Sequence, residues 1–304
     1  MIMYFLKFIK NPFCVFNWLA AKHLMDWMDD VTYLKLRYRA SFGKKMNLKH
    51  PVTFNEKLQW LKLYNRKPEY TIMVDKVKAK EYAAKMLGEE YIIPTLGVWD
   101  SPDEIDFDSL PNQFVLKCNH NSGLGMCICR DKENLDIEKV KFNLKRGMEE
   151  NYFLSGREWP YQNVPRKIIA EKYMVDHNDT DLNDYKFFCF NGEPAIMFVS
   201  SDRKNKVCFD YYDMNLHHLE LKQGGENYHG LIHLPKHFDE MKKLASKLAQ
   251  GIPHVRLDFY EINDRVYFGE ITFFDSSGFA KFEPASWDIK LGNMIELPSK
   301  DIAK

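Results

Sequence analysis

The chain has 304 residues, 45% hydrophobic and 28% charged, an ordinary globular composition long enough for two domains. Its 43 basic and 43 acidic residues cancel, which argues against a global pull toward nucleic acid or a membrane and leaves substrate steering to local clusters. Six cysteines occur without a C-x-x-C pair or further ligands at metal spacing, so they read as reduced thiols of a cytoplasmic protein.

Residues 1–50 read as a helical, basic segment ending in Lys44, Lys45 and Lys49. Residues 1–28 are apolar and aromatic, but Lys7, Lys10, Asn11 and Pro12 interrupt them short of the ~20 residues a membrane span needs. No small-residue cleavage pattern follows. Two readings stay open: an interfacial helix that touches a membrane or a membrane-bound complex, and a helix packed on its own domain.

Thr53-Phe-Asn-Glu56 is a capping box opening a helix that stops before Pro68. A second helix is predicted from Asp75 to the C-cap Gly88. Short strands follow at Tyr91–Pro94 and Phe114–Cys118, then the loop Asn119–Gly123 and a strand over Leu124–Arg130. Lys132–Glu150 reads as a helix and Lys167–Met174 as a strand. Asn191-Gly192 marks a hairpin between Tyr185–Phe190 and Glu193–Ser200, and a further pair surrounds Asp213–Asn215. Asp239–Gln250 is an amphipathic helix, and Val255–Ile262 and Val266–Phe273 form the last strand pair. Helices first and then mostly antiparallel strands give an α+β fold. Without G-x-G-x-x-G or a P-loop, a Rossmann or P-loop nucleotide site is not expected.

The last strand pair carries the most chemistry. Asp258 and Glu270 lie inside apolar strands, and two buried unpaired carboxylates are costly unless a cation such as Mg²⁺ joins them. With a three-residue turn at Asn263–Arg265, Asp258 stands opposite Glu270 and Arg256 opposite Thr272, all on one face. With a two-residue turn, Glu270 flips away. Lys117 ends an apolar strand before a Gly-containing loop, the kind that cradles phosphate. Glu171-Lys172 ends another strand, and Lys186 sits in an aromatic one where it needs an anion or an exit to water. Each of these alone is equally a solvated strand end.

Together, the segments TFNEKLQWLKLYNR, VDKVKAKEYAAKMLG, FVLKCNHNSG, DYKFFCFNGEP and RLDFYEI…FGEITFFDSSGF resemble the ATP-grasp superfamily. The similarity is to the branch named for teichuronopeptide biosynthesis and runs from about Thr53 to Phe282. It implies an ATP-grasp fold, two α+β subdomains sandwiching ATP. Residues 51–112 would be an associated region, 113–175 the lid, and 176–304 the core with the metal site. It implies that Lys117 and Lys186 hold ATP phosphates under the loop that includes Asn121, Ser122 and Gly123. Glu171 and the backbone of Lys172, Tyr173 and Met174 would meet adenine. Asp258 and Glu270 would bind Mg²⁺, with Thr272 standing where the superfamily often has Asn. Arg256 would stabilise the oxyanion, and Ser276, Ser277 and Gly278 would offer donors to a substrate. Asp176, Asp181 and Asp184 are alternatives for the ribose. The implied activity is an ATP-dependent ligase joining a sugar-acid carboxylate to an amine, through an acyl phosphate, in surface-polysaccharide assembly.

Three rivals stand beside it. Asp179-Thr-Asp181 matches the metal motif of a glycosyltransferase, though it falls in the polar run DHNDTDLND. A sugar kinase could use the same scaffold. A non-catalytic scaffold would bind no ATP.

Overall fold

The computed structural model describes residues 12–176, 183–201, 207–228, 230 and 232–299. Two helices come first, α1 (Cys14–Ala21) and α2 (Asp30–Phe42). Asp29 caps α2 by accepting from the Thr32 N–H, and Gly43 ends it at φ 75°. Phe16, Tyr33, Leu34 and Tyr38 bury themselves in a small core of these helices. Val15, Trp18, Leu24 and Trp27 stay exposed. Among the described residues no helix is long and apolar enough to cross a membrane. Residues 1–11 of the apolar segment lie outside the described residues.

Helix α3 (Phe54–Tyr64) starts at the capping box expected from sequence: Thr53 Oγ1 accepts from the Glu56 N–H, and Glu56 Oε2 from the Thr53 N–H. After it come α4 (Glu69–Val74), which was not expected, and α5 (Lys76–Leu87), capped by Asp75 and closed by Gly88.

A four-stranded antiparallel sheet follows. Its strands are β1 (Thr95–Trp99), β2 (Phe114–Cys118), β3 (Cys127–Cys129) and β4 (Ile168–Lys172), in the order β1-β4-β2-β3. Phe114, Leu116 and Cys118 pack beneath Val140 and Leu144 of α6 (Ile137–Glu149), which turns Lys117 to the opposite face. The strand expected at Tyr91–Pro94 begins later, at Thr95. Pro94 has no N–H to donate, and its carbonyl accepts from the Lys172 N–H at 3.0 Å. The strand expected over Leu124–Arg130 shrinks to three residues because Gly123 (φ 86°) and Gly125 (φ 77°) keep the chain turning. Helix α7 (Tyr152–Gly156) then leads toward β4.

The second sheet is six-stranded and antiparallel. It uses β5 (Asp184–Phe190), β6 (Glu193–Ser201), β7 (Cys208–Asp213), β8 (His218–Leu219), β10 (His254–Ile262) and β11 (Arg265–Thr272), in the order β11-β10-β5-β6-β7-β8. Strand β9 (Lys222–Gln223) pairs outside it with β12 (Phe282–Glu283). Asn191 and Gly192, both at positive φ, make the expected tight hairpin. One face packs on α8 (Phe238–Ala249) through Phe187, Leu257 and Val255. The other meets α3, where Phe54 stacks on Phe188 at 5.8 Å between centroids. The fold is α+β, with the two sheets facing one cleft beside α5.

Candidate active site

The β10–β11 hairpin decides whether the two carboxylates meet. Its turn is Asn263-Asp264, both at positive φ, with Ile262 paired to Arg265. The three-residue turn that the opposition required is therefore absent. A two-residue turn alone would set Gly269 opposite Asp258 and send Glu270 to the far face. A β-bulge restores the opposition. Phe259 pairs with Phe268, Asp258 pairs with Glu270, and Gly269 is the extra residue. A Cβ at 269 would come within 2.9 Å of the Asp258 carbonyl oxygen, so the bulge suits glycine. An isolated Gly inside a strand pattern was the available signal for it.

Arg256 lies at the centre of the resulting patch. It donates to both Asp258 oxygens at 2.7 and 2.8 Å, to Glu270 at 2.5 Å and to Asp275 at 2.8 Å. Lys186, from β5, pairs with Asp258 and with Asp184 at 2.9 Å. Four carboxylates (Asp184, Asp258, Glu270, Asp275) face two cations (Lys186, Arg256), which leaves a local charge of −2. Burial works against ionised Glu270, but Arg256, Lys186 and Lys76 outweigh it and hold its carboxyl at about 2. Burial pushes Asp258 up to about 6, against the pull of Arg256 and Lys186. The Thr272 hydroxyl donates to Glu270 at 3.2 Å and so orients that carboxylate. Among the described residues no three His, Cys, Asp or Glu side chains gather as a metal cage.

Across the cleft, Lys117 of β2 pairs with Glu171 of β4 at 2.5 Å, and Lys80 of α5 takes the other Glu171 oxygen at 2.9 Å. Burial opposes the charge on Glu171, yet the two lysines hold its carboxyl at about 2. Lys76 donates through Nζ to the Asn121 carbonyl and through its backbone N–H to the Asn119 carbonyl at 3.1 Å. The Gly-containing loop is thus anchored to the start of α5. Lys76, Lys80, Lys117, Tyr161, Glu171 and Glu270 line a cavity of about 50 Å³ between the sheets. That volume is the size of a few water molecules.

The remaining sequence-expected residues fall in several places. Ser122 and Gly123 are exposed at the loop tip, while the Asn121 side chain turns inward and donates to Gly147 O at 3.1 Å. Lys172 is exposed, with Tyr173 and Met174 half-buried after it. Asp176 lies beside the β10–β11 turn, accepting from the Asn263 N–H at 3.4 Å. Asp184 is drawn into the carboxylate cluster, and Asp181, like Asp179, lies outside the described residues. Ser276, Ser277 and Gly278 form a left-handed turn, with φ 47°, 52° and 62°. Only Ser276 is exposed. The Ser277 hydroxyl is engaged by buried Glu158, and its carbonyl accepts from buried Lys62 at 2.8 Å. A Cβ on Gly278 would lie 2.4 Å from Gln59 Nε2. In this arrangement the Ser277 hydroxyl and N–H are taken up by Glu158 and by the Phe274 carbonyl, and the Gly278 carbonyl accepts from Gln59 at 2.9 Å.

Three charged groups at the cleft were missed. Lys76 and Lys80 fall at i and i+4 on the stripe of α5 that continues through buried Ala83 and Leu87, and lysine on a buried stripe is a signal. Asp275 directly precedes the serine turn, and nothing local marks it as a partner of Arg256.

An antiparallel core sheet with a carboxylate–guanidinium patch, facing a small lysine-bearing sheet across a cleft, defines an ATP-grasp architecture. Residues 56–296 match the TupA-like ATP-grasp family, and the chain belongs to it. Among solved structures it is similar to a D-alanine–D-alanine ligase from Bacillus anthracis complexed with ATP, at 15% identity and TM-score 0.40, covering 66% of this chain and 54% of that one. The same enzyme from Helicobacter pylori gives 16% identity and TM-score 0.44 over 80% and 69%. N5-carboxyaminoimidazole synthetase from Staphylococcus aureus complexed with ADP gives 13% and 0.40 over 75% and 52%. The chain thus spans little more than half the length of the first of these. No curated protein matches it.

Proposed function

We propose that the chain is an ATP- and Mg²⁺-dependent carboxylate–amine ligase working through an acyl phosphate. The observation that carries this is the pair of charge sets, one on each sheet, that meet at one cleft through Glu270. Arg256, Lys186, Asp258 and Glu270 lie on the core sheet, and Lys76, Lys80, Lys117 and Glu171 lie opposite.

Asp258 and Glu270 would hold Mg²⁺, with Thr272 orienting Glu270 or completing the shell. The donor set fits, because Mg²⁺ commonly takes one or two carboxylates and fills its shell with phosphate oxygens and water, and the patch has two negative charges to spare. Bound there, Mg²⁺ supplies neutralisation of the phosphate charge. Lys117 and Lys186 now pair with carboxylates and would exchange them for phosphate oxygens. Ser122 and Gly123 would cover those phosphates, and Glu171 with the Lys172–Met174 backbone would meet the adenine edge. A substrate carboxylate oxygen attacks the γ-phosphorus and ADP leaves. The amine nitrogen then attacks the acyl carbon, the C–O bond to phosphate breaks, and the amine gives up a proton. Arg256 stabilises the oxyanion of that second step.

In this reading the carboxylate belongs to a sugar acid of a surface or capsular polysaccharide, as the sequence resemblance implies. The work is cytoplasmic, and exposed Val15, Trp18, Leu24 and Trp27 favour peripheral contact of residues 1–28 with a membrane or an assembly complex.

The test is release of ADP and phosphate with panels of carboxylates and amines, in the wild type and in Asp258→Asn and Glu270→Gln. We expect each variant to lose at least about 100-fold in turnover, several kcal/mol of transition-state stabilisation. Undiminished turnover in both would overturn the metal assignment. No ATP binding at millimolar concentration would overturn the ligase.

A further inference from the structure

A single 3₁₀ turn, Trp159–Tyr161, follows α7 and brings the chain back to the cleft. Trp159 packs on Tyr70 at 6.0 Å between ring centroids, and Tyr70 stacks on Phe273 at 4.1 Å, the residue after β11. This aromatic stack ties the turn to the strand that carries Glu270. Tyr161 thereby lines the cavity together with Lys76, Lys117 and Glu270. Tyr152 of α7 meets its ring edge-on, at 4.8 Å and 73°.

The Tyr161 hydroxyl bonds nothing. It has no hydrogen-bond partner among the described residues, and it is not shut from solvent. The charged groups around it already hold protein atoms. Lys76 donates to the Asn121 carbonyl, and Lys80 and Lys117 donate to Glu171. Glu270 accepts from both Arg256 and Thr272 on Oε1, so its Oε2 has no hydrogen bond among the described residues. Burial raises the Tyr161 phenol well above its ordinary range, and Glu158 and Glu270 add to this against Arg256. The side chain is therefore a neutral O–H donor across the neutral range.

Its place along the cleft follows from its neighbours. In the ligase reading adenine lies at Glu171 and the Lys172–Met174 backbone, and the acyl carbon lies at Arg256. The phosphate chain then runs from the first toward the second. After burial, the strongest influences on the Tyr161 phenol are Tyr152, Glu158, Glu270 and Arg256. Tyr161 thus stands toward the Arg256 end, beside the phosphoryl group that is transferred. That group spreads its charge over three equatorial oxygens, each an acceptor for a positioned O–H.

We propose that Tyr161 is a phosphoryl-contacting residue whose hydroxyl donates to a γ-phosphate oxygen of ATP, so that the site prefers ATP to ADP, while the Tyr152 ring holds it in position. The proposal rests on the ligase reading above, which sets the direction of the nucleotide in the cleft.

The full chain, Tyr161→Phe and Tyr152→Phe are titrated calorimetrically with ADP and with a non-hydrolysable ATP analogue, each with Mg²⁺. Tyr161→Phe removes one oxygen and keeps the ring against Tyr152. It should bind the ATP analogue about tenfold more weakly than wild type, the loss expected from one hydrogen bond to a charged group, and bind ADP unchanged. Tyr152→Phe keeps both rings and the Tyr161 oxygen, and should retain the wild-type preference. The unfolding midpoint, expected unchanged, reports on folding of both variants. An unchanged affinity of Tyr161→Phe for the ATP analogue overturns the proposal, as does an equal loss for both nucleotides. A loss confined to Tyr152→Phe moves the contact to that phenol and overturns the assignment as well. A wild-type chain that binds neither nucleotide overturns the ligase reading, and the proposal falls with it.

Discussion

Arg256→Met tests whether the carboxylate patch is held by one guanidinium. Methionine keeps most of the side chain's length and removes its charge. Three carboxylates lose a partner, but unequally. Glu270 is 44% exposed, so water replaces much of what it loses. Asp258 keeps Lys186. Asp275 is 5% exposed and has no other side-chain hydrogen bond among the described residues, so the cost falls mainly there. Leaving one buried charge unpaired costs about 3–5 kcal/mol. Asp275→Asn alone, with Arg256 still paired to Asp258 and Glu270, should cost about 1–3 kcal/mol. Independent sites would make the double variant about 4–8 kcal/mol less stable. We expect it to be no worse than Arg256→Met alone, because the second change removes the orphaned charge. Urea unfolding followed by tryptophan fluorescence, without nucleotide, gives all three values. Additive losses, or an Arg256→Met variant within about 1 kcal/mol of wild type, would refute the electrostatic account.

Two further outcomes follow from buried groups. Lys80→Met removes one of the two cations on Glu171, and the ATP dissociation constant should rise about tenfold; an unchanged constant would separate Lys80 from the nucleotide site. His254 is buried among Phe54, Phe188 and Phe190, and burial lowers its pKa to about 4, below the ordinary ~6.5. The unfolded chain therefore takes up this proton first. Stability from His254 is complete above about pH 6.5 and is lost progressively as the pH falls toward about 4, roughly 2 kcal/mol by about pH 5. His254→Phe should lose that much less than wild type between about pH 7 and 5, as measured by urea unfolding, and identical losses would falsify the assignment.

Much of the fold is legible in sequence wherever the signal is local. The capping box at Thr53 and Glu56 and the Asp75 cap act within one turn of backbone. The Asn191-Gly192 hairpin needs only the φ preferences of its own two residues. For the same reason Lys117, Glu171, Lys186, Arg256 and Asp258 could be marked one by one, as charges in strands that bury a face. Membership of the family followed from their order along the chain. Hidden from a linear reading is which charge meets which. Lys80 reaches Glu171 across 91 positions, and Arg256 reaches Asp275 across 19, because the packing of α5 and the serine turn brings them there. The Ser277 hydroxyl was expected to face a substrate, but buried Glu158, 119 positions away, engages it.

The hairpin that carries Asp258 and Glu270 shows the division most clearly. Sequence alone determined that Asp258 and Glu270 lie in adjoining strands and that a short polar turn joins them. It could not determine their faces, because side chains alternate every residue and one extra residue inverts the set. The turn took two residues, the length that parts the carboxylates. Gly269 bulged because only hydrogen exists where a Cβ would press on the Asp258 carbonyl. The opposition of Asp258 and Glu270 is thus a product of backbone pairing in three dimensions, and it depends on one glycine that the strand pattern marks as a possible bulge without fixing which residues then stand opposed.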